Sequence, residues 1–296
     1  MINKIMNGSI LANEIIQKIK NQVKYETRFR KRPPGLAVIW IDNNESSKLY
    51  VQKKRIACNK VGFFSEEWKL KKTITEMEII NLIEKLNLNN NIDGILVQLP
   101  LPKNINTNNI IEAIYPKKDI DGFHPYNIGC LCQKKPKLRP CTSRGIIKIL
   151  NKYNINMYGM NATIIGASNI VGRPMGLELL LSGCTTTITH RFTSNLNEHI
   201  SKSDLIIVAV GKPNFIDEKH IKPGAVIIDV GINKIPSQNI IVGDVNFEKV
   251  LPKVSYITPV PGGVGPMTVA TLLKNTLEAY QEKYEYRYFN VIYKIL

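Results

Sequence analysis

Residues 161–176 read NATIIGASNIVGRPMG, and no other stretch says more about how this chain folds. A short apolar run, typical of a buried strand, leads into a glycine-rich turn, and GRPMGLELLLSG then predicts a helix. Gly166, Gly172 and Gly176 stand where a strand-to-helix turn needs small residues and where backbone N–H groups can bind a pyrophosphate. Ser168 occupies the second glycine position of the strict GxGxxG pattern. The loop alone is therefore also consistent with an ordinary βα turn.

Two more predicted strands end in glycine further along the chain. DLIIVAVG ends at Gly211, and AVIIDVG ends at Gly231. In open α/β sheets ligands bind at the carboxyl ends of the strands. We therefore expect the loops at Gly166, Gly211 and Gly231 to lie together and to form a dinucleotide site.

The residues after the predicted strand TTTITH bear on which dinucleotide is bound. An enzyme that uses NAD typically carries an acidic residue here, to bind the ribose 2′-hydroxyl. In this chain His190 and Arg191 occupy the position, and a positive residue suits the 2′-phosphate of NADP. The alternative is that Arg191 is a solvated loop residue.

The first 120 residues alternate between predicted strands and helices, which indicates a parallel sheet covered on both faces. Residues 115–145 are rich in Pro, Gly and Cys and are predicted to be a lining or a linker. A second alternation follows. We therefore predict an α/β protein of two domains with a cleft between them, the second a Rossmann-like doubly wound parallel sheet. The predicted domain boundaries are 1–140, completed by a C-terminal helix over 267–296, and 141–266.

Composition limits the possible functions. The chain has 296 residues and a formal charge of +16, which could attract nucleic acid or an anionic membrane. The positive residues are scattered, however, and most are lysines, so we expect neither partner. Five cysteines without a CxxC pair, and the lack of a signal-like or membrane-length apolar run, predict a cytosolic protein. The histidine and cysteine spacings predict no metal site.

Four polar residues of the first half are candidates for chemistry. In SSKLYVQKKRIACNKVG, predicted to be a helix, Tyr50 and Lys54 lie one turn apart on the same face. Gln98 ends the predicted strand DGILVQLPLP, and Asp121 follows in an IDG turn. Each has an ordinary alternative role, as a packed ring, a solvated amine, a backbone cap or a turn residue.

Across residues 5–280 the chain resembles the bifunctional methylenetetrahydrofolate dehydrogenase/methenyltetrahydrofolate cyclohydrolase family. The stretches that carry the resemblance are SKLYVQKKR, DGILVQLPLP, KDIDGFHPYNIG, RPCTSRG, GASNIVGRPMG, HRFTSNL, AVIIDVGIN and TPVPGGVGPMTVATLL. One departure is Ser143, which replaces the usual proline of PCTP and leaves the rigidity of the domain hinge open.

The resemblance implies oxidation of 5,10-methylenetetrahydrofolate by NADP, then hydrolysis of the methenyl product to 10-formyltetrahydrofolate, in one-carbon metabolism. It implies that Lys54 is the central catalytic group, that Gln98 binds the lysine, and that Asp121 anchors the pterin. Tyr50 would stack on or border the folate. Pro261 and Gly262 would also bind substrate. The cofactor-binding residues would be Gly166, Ala167, Ser168, Gly172, Arg173, Arg191 and Ile232, with Arg173 compensating for Ala167, where many relatives carry arginine.

Family members are usually homodimers, so a homodimer is implied as well. The stretch PGGVGPMT, residues 261–268, could be read as a phosphate cradle, but it lacks the GK[ST] ending of a P-loop. We expect instead a glycine-rich wall of the cleft, with Pro266 in the first turn of the following helix. Two alternatives stay open: an enzyme with only one of the two activities, and a basic binding protein.

Overall fold

The structure is a computed structural model that describes residues 4–29, 32–41, 45–235 and 240–292. The helices are α1 (Gly8–Phe29), α2 (Glu45–Val61), α3 (Glu76–Leu88), α4 (Thr107–Ala113), α5 (Pro125–Cys132), α6 (Cys141–Lys152), α7 (Gly172–Leu181), α8 (Leu196–Ser201), α9 (Phe247–Val250) and α10 (Val264–Ile292). The strands are β1 (Gly35–Ile41), β2 (Phe64–Leu70), β3 (Gly94–Val97), β4 (Asn161–Ile165), β5 (Thr185–Thr189), β6 (Leu205–Val208), β7 (Val226–Asp229), β8 (Asn233–Ile235), β9 (Ile240–Val242) and β10 (Tyr256–Ile257).

The chain forms two compact units. The five-stranded unit comprises Met1–Asn13 and Thr142–Thr268, and the three-stranded unit comprises Glu14–Cys141 and Val269–Leu296. Among the described residues, no helix combines the length and the apolar character that crossing a membrane requires.

The sheet of the three-stranded unit has the order β2-β1-β3, and all of its strands are parallel. β1 and β3 are buried along their whole length, as their continuous apolar runs predict. β2 departs from the prediction of a sheet covered on both faces, because it is an edge strand with several exposed residues. Its sequence FSEEWKL mixes charged and aromatic residues, which an edge strand can expose to solvent.

Part of the segment 115–145 is helical, so the prediction of a lining or linker is wrong for α5 and for the start of α6. Pro125 occupies the first turn of α5, where its missing N–H costs no hydrogen bond. His124 caps that helix, because its side chain accepts the N–H of Tyr126 at 3.0 Å. Proline therefore begins a helix here instead of excluding one.

The sheet of the five-stranded unit has the order β10-β7-β6-β4-β5, and its strands are parallel. The chain leaves β4 for β5 on one side and returns to β6 on the other. This reversal is the topological switch point at which α/β sheets bind ligands. The carboxyl ends of β4, β6 and β7 are neighbours, which confirms the prediction that the loops at Gly166, Gly211 and Gly231 share one edge.

The antiparallel pair β8–β9 and the strand β10 were not predicted from the sequence. β8 and β9 have three residues each and β10 has two. Runs of this length are too short to show an alternating pattern. Pro266 lies in the first turn of α10, as predicted.

Candidate active site

Lys54 lies on the buried face of α2, with Val51 and Cys58 on either side. Lys54 is 8% exposed, and its Nζ donates a hydrogen bond of 3.0 Å to Oε1 of Gln98. Burial lowers the pKa of Lys54, while the carboxylate of Asp121 and the thiols of Cys141 and Cys58 act in the opposite direction. The amine is therefore easier to deprotonate than that of a solvated lysine.

Gln98 follows β3 and has both ends of its amide fixed. Its backbone N–H donates to the Ile39 carbonyl at 2.8 Å, which extends the pairing of β1 and β3 by one residue. Its side-chain Nε2 donates to the Leu99 carbonyl at 2.7 Å, which leaves Oε1 to accept from Lys54. The amide thus holds the lysine amine in one position.

Asp121 is half-buried and belongs to the same electrostatic group. Burial raises its pKa to about 6, the charge of Lys54 lowers it, and the nearby Asp119 raises it further. The pKa values of Lys54 and Asp121 thus shift toward each other. Titratable groups with pKa values moved in this way are typical of acid–base sites.

The loop that carries Asp121 is held by two residues that the sequence analysis missed. Asp119 is buried and accepts the N–H groups of Gly122 and His124 at 3.2 and 2.8 Å. Asn275 of α10 donates its side-chain amide to the Ile120 carbonyl at 2.7 Å. Both contacts fix the backbone on either side of the carboxylate.

Tyr50 lies in α2 one turn before Lys54, as predicted. Its ring is half-buried, and burial raises the pKa of its hydroxyl. The Lys53 ammonium lies 5.9 Å from the ring centroid, close enough for a cation–π contact.

The turn between β4 and α7 has the backbone that a dinucleotide requires. Gly166 has a φ of +122°, and a Cβ there would lie 2.2 Å from the Ala209 carbonyl oxygen. A Cβ on Gly172 would lie 1.9 Å from the Gly166 carbonyl oxygen. Glycine is therefore required at both positions, and the bare backbone leaves a cradle at the start of a ten-residue helix.

Polar groups of this turn face one another. Exposed Ser168 accepts the N–H groups of Val171 and Gly172 through its Oγ, at 3.2 and 3.4 Å. The Arg173 guanidinium donates to the Ala167 carbonyl at 3.2 Å. The residue types and the geometry fit a pyrophosphate, with one cation beside it.

Arg191 lies in the loop that follows β5, as predicted, and is exposed. Its guanidinium carbon lies 4.6 Å from the ring centroid of Phe192, which is itself 76% exposed. Its exposed guanidinium can therefore bind an anion without first leaving the protein interior.

The other predicted site residues lie in the five-stranded unit. Ile232 follows β7 and is 47% exposed. Pro261 and Gly262 precede α10, and the Gly262 carbonyl accepts the N–H of Ser9 at 2.9 Å. The structure groups Lys54, Gln98 and Asp121 in one unit and the glycine turn, Arg191 and Ile232 in the other. Over the residues the structure describes, no group of three or more His, Cys, Asp or Glu side chains could hold a metal ion.

Comparison with known proteins identifies close relatives. Residues 6–121 match the family described as tetrahydrofolate dehydrogenase/cyclohydrolase, catalytic domain, and residues 140–284 match its NAD(P)-binding domain. The bifunctional methylenetetrahydrofolate dehydrogenase/cyclohydrolase FolD of Campylobacter jejuni is 43% identical, with a TM-score of 0.92 over 94% of this chain and 99% of that one.

Two other solved structures are also similar. A 5,10-methylenetetrahydrofolate dehydrogenase of the silkworm Bombyx mori is 39% identical, with a TM-score of 0.89 over 96% of this chain and 100% of that one. The methylenetetrahydrofolate dehydrogenase-cyclohydrolase of Trypanosoma brucei, solved with NADP and an inhibitor, is 32% identical, with a TM-score of 0.90 over 94% and 97% of the two chains.

Proposed function

This chain belongs to the tetrahydrofolate dehydrogenase/cyclohydrolase family, and on that premise we propose that it runs both reactions of the family on one folate. It oxidises 5,10-methylenetetrahydrofolate to the methenyl form with NADP, and it then hydrolyses the methenyl form to 10-formyltetrahydrofolate. The observation that carries the proposal is the buried Lys54 amine, fixed by Gln98 and coupled to Asp121.

The glycine turn supplies the dinucleotide site. Bound NADP would supply the acceptor for the hydride that leaves the methylene carbon of the folate. The backbone at Gly166 and Gly172 receives the pyrophosphate at the start of α7, where the helix dipole favours negative charge. Ser168 and Arg173 add a hydroxyl and a cation to this cradle, Ala167 and Ile232 border it, and Arg191 binds the 2′-phosphate.

Lys54 acts on the folate in both steps. Oxidation leaves a cationic amidinium, which a permanently charged ammonium would repel. Since burial lowers the pKa of Lys54, the amine can be neutral and can orient a water molecule. In the hydrolysis, this water adds to the methenyl carbon and the amine takes up one of its two protons. The other proton passes from the new hydroxyl to the leaving ring nitrogen as the C–N bond breaks, which gives the formyl product.

Asp121 anchors the pterin. A carboxylate can accept paired hydrogen bonds from an aminopyrimidine edge, and a protonated carboxyl cannot accept both. With a pKa of about 6, Asp121 is mostly ionised at neutral pH. Tyr50, in the same unit as Asp121, borders the bound folate.

The family resemblance also supports a homodimer. A cytoplasmic location is consistent with the five cysteines, all of which are free thiols in the structure.

A stopped assay with 5,10-methylenetetrahydrofolate and NADP tests the proposal. NADPH is followed by its absorbance and the methenyl form by its own chromophore. A bifunctional enzyme produces NADPH while the methenyl form stays low, because hydrolysis consumes it. An enzyme with dehydrogenase activity alone accumulates the methenyl form. Absence of NADPH formation, or absence of hydrolysis of supplied methenyltetrahydrofolate, would overturn the proposal.

A further inference from the structure

Two carboxylates lie beneath the loops that follow β6 and β7, and the proposed chemistry uses neither. Asp244 is 0% exposed, and its carboxylate accepts the backbone N–H groups of the consecutive residues Val210–Lys212 at 2.7, 2.9 and 3.0 Å. It also accepts the side-chain amide of Asn233 at 2.8 Å. One buried side chain therefore binds both loops.

Asp229, at the end of β7, holds Asp244 in turn. Its Oδ1 accepts the N–H groups of Gly231 and Asp244 at 2.9 and 3.0 Å, and its Oδ2 accepts the N–H of Val245 at 2.9 Å. Burial raises the pKa of Asp229 to about 6. The charge of Asp244 also raises this pKa, whereas the three N–H groups lower it. Asp229 at the end of the strand thus fixes the backbone of Asp244, and the side chain of Asp244 fixes the two loops.

The two carboxylates pack directly against two glycines. A Cβ on Gly231 would lie 2.2 Å from Oδ1 of Asp244, and a Cβ on Gly243 would lie 1.9 Å from Oδ2 of Asp229. Any residue other than glycine at position 231 or 243 would therefore place its Cβ too close to one of the carboxylates.

The loops held in this way follow β6, which pairs with β4, and β7, which pairs with β6, so they lie at the same sheet edge as the glycine turn. Gly211, Lys212 and Ile232 of these loops are exposed, whereas Asp244 is fully buried and cannot touch a ligand. We infer that Asp244 is a positioning residue for dinucleotide binding, which holds the loops Val210–Lys212 and Gly231–Asn233 in the conformation that receives NADP. The inference rests on the proposed function.

Replacing Asp244 by Asn tests it. The variant replaces one acceptor oxygen by an NH₂ group, which cannot accept a hydrogen bond. The two N–H groups that this oxygen binds in the wild type then lose their acceptor. We expect the Kd for NADP, measured by calorimetry, to rise about 10- to 100-fold. Hydrogen exchange at the amides of Val210–Lys212 should become faster. The matched control is Asp217→Asn, a half-buried acid of the same unit that binds Lys249, and it should leave both readings unchanged.

The outcomes separate the inference from the proposed function. Wild-type protein that fails to bind NADP overturns the proposed function. Wild-type protein that binds NADP, together with an Asp244→Asn variant of equal Kd, overturns only the inference. Should Asp244→Asn fail to fold, Asn233→Ala decides, because it removes one bond to Asp244 and keeps the carboxylate. A rise in Kd of about threefold or more supports the inference, and an unchanged Kd contradicts it.

Discussion

Lys54 can be removed without disturbing the packing of its helix. Lys54→Met keeps the apolar stem on the buried face of α2 and deletes the amine that binds Gln98. We expect hydrolysis of methenyltetrahydrofolate to fall at least about a hundredfold, the usual effect of losing an acid–base group, while the Kd for NADP stays the same. Lys60→Met, an exposed lysine of the same helix, is the control. Retained hydrolysis in Lys54→Met would remove this lysine from the mechanism.

Asp121 should make folate binding depend on pH. Its pKa is raised to about 6, so it is ionised above that pH and protonated below it. Because only the ionised form accepts two hydrogen bonds from the pterin, the KM for the folate should rise as the pH falls from about 7 to about 5. Asp121→Asn should show a high KM with little pH dependence over this range. A wild-type KM that stays flat through pH 6 would contradict the role of Asp121.

Arg191 should set the choice between NADP and NAD. Because the side chain is exposed, solvent screens its charge, and we expect a contribution near the low end for charge-assisted bonds, roughly tenfold in affinity. Arg191→Ala should raise the KM for NADP by that factor and leave the KM for NAD nearly unchanged. Measurement at low salt gives the largest effect. Lys202→Ala, another exposed cation of this unit, should change neither constant.

Local motifs could be found in the sequence, and distant partners could not. Gly166 and Gly172 lie in one turn, so their spacing predicts a strand-to-helix turn, and the strands that end at Gly211 and Gly231 favour a dinucleotide site there. Asn275 lies 155 residues from Ile120, and Asp244 lies 34 residues from Val210. No periodicity or motif links positions so far apart, because the contact is made only when the chain folds. The sequence does carry the glycines that face these acids, but their requirement becomes visible only in three dimensions.

Gly172, in the turn between β4 and α7, should tolerate no side chain. In Gly172→Ala the new Cβ would lie 1.9 Å from the Gly166 carbonyl oxygen, so the turn must shift. We expect NADP binding to be lost or weakened more than tenfold, as seen in a calorimetric titration. Gly129→Ala in α5 is the matched control, because a Cβ there meets no atom within 4 Å. Alanine is the better helix former, so this control should be neutral or slightly stabilising.

The helices and strands with strong apolar patterns were predicted well, and the short or unusual ones were not. β1 and β4 are buried runs whose type follows from their residues, and the start of α10 follows from Pro266. α5 was missed because Pro125 and Gly129 suggest a loop, although a proline in the first turn is compatible with a helix. α6 begins at Cys141, before the apolar periodicity from which it was predicted. Tertiary packing, and not local propensity, extends it.

The charge of the whole chain, +16, bears on the alternative of a basic binding protein. Lysines scattered over the surface give weak, non-specific attraction to polyanions, which salt removes. We therefore expect no binding of a 20-nucleotide DNA or RNA at physiological salt, in a fluorescence anisotropy titration up to micromolar protein. Micromolar or tighter affinity that persists at physiological salt would favour the binding-protein alternative over the enzyme.

The edge position of β5 has an evolutionary consequence. Among the described strands, β5 pairs only with β4. The loop after it is closed by hydrogen bonds between its own residues, since His190 and Thr193 exchange hydrogen bonds of 2.9 Å. The guanidinium of Arg191 lies against the ring of Phe192, which belongs to the same loop. Under the role proposed for Arg191, a substitution in this loop alone would therefore be enough to change the coenzyme preference in descendants of this gene. Such a substitution would leave the residues of the folate site and the packing of the sheet unchanged.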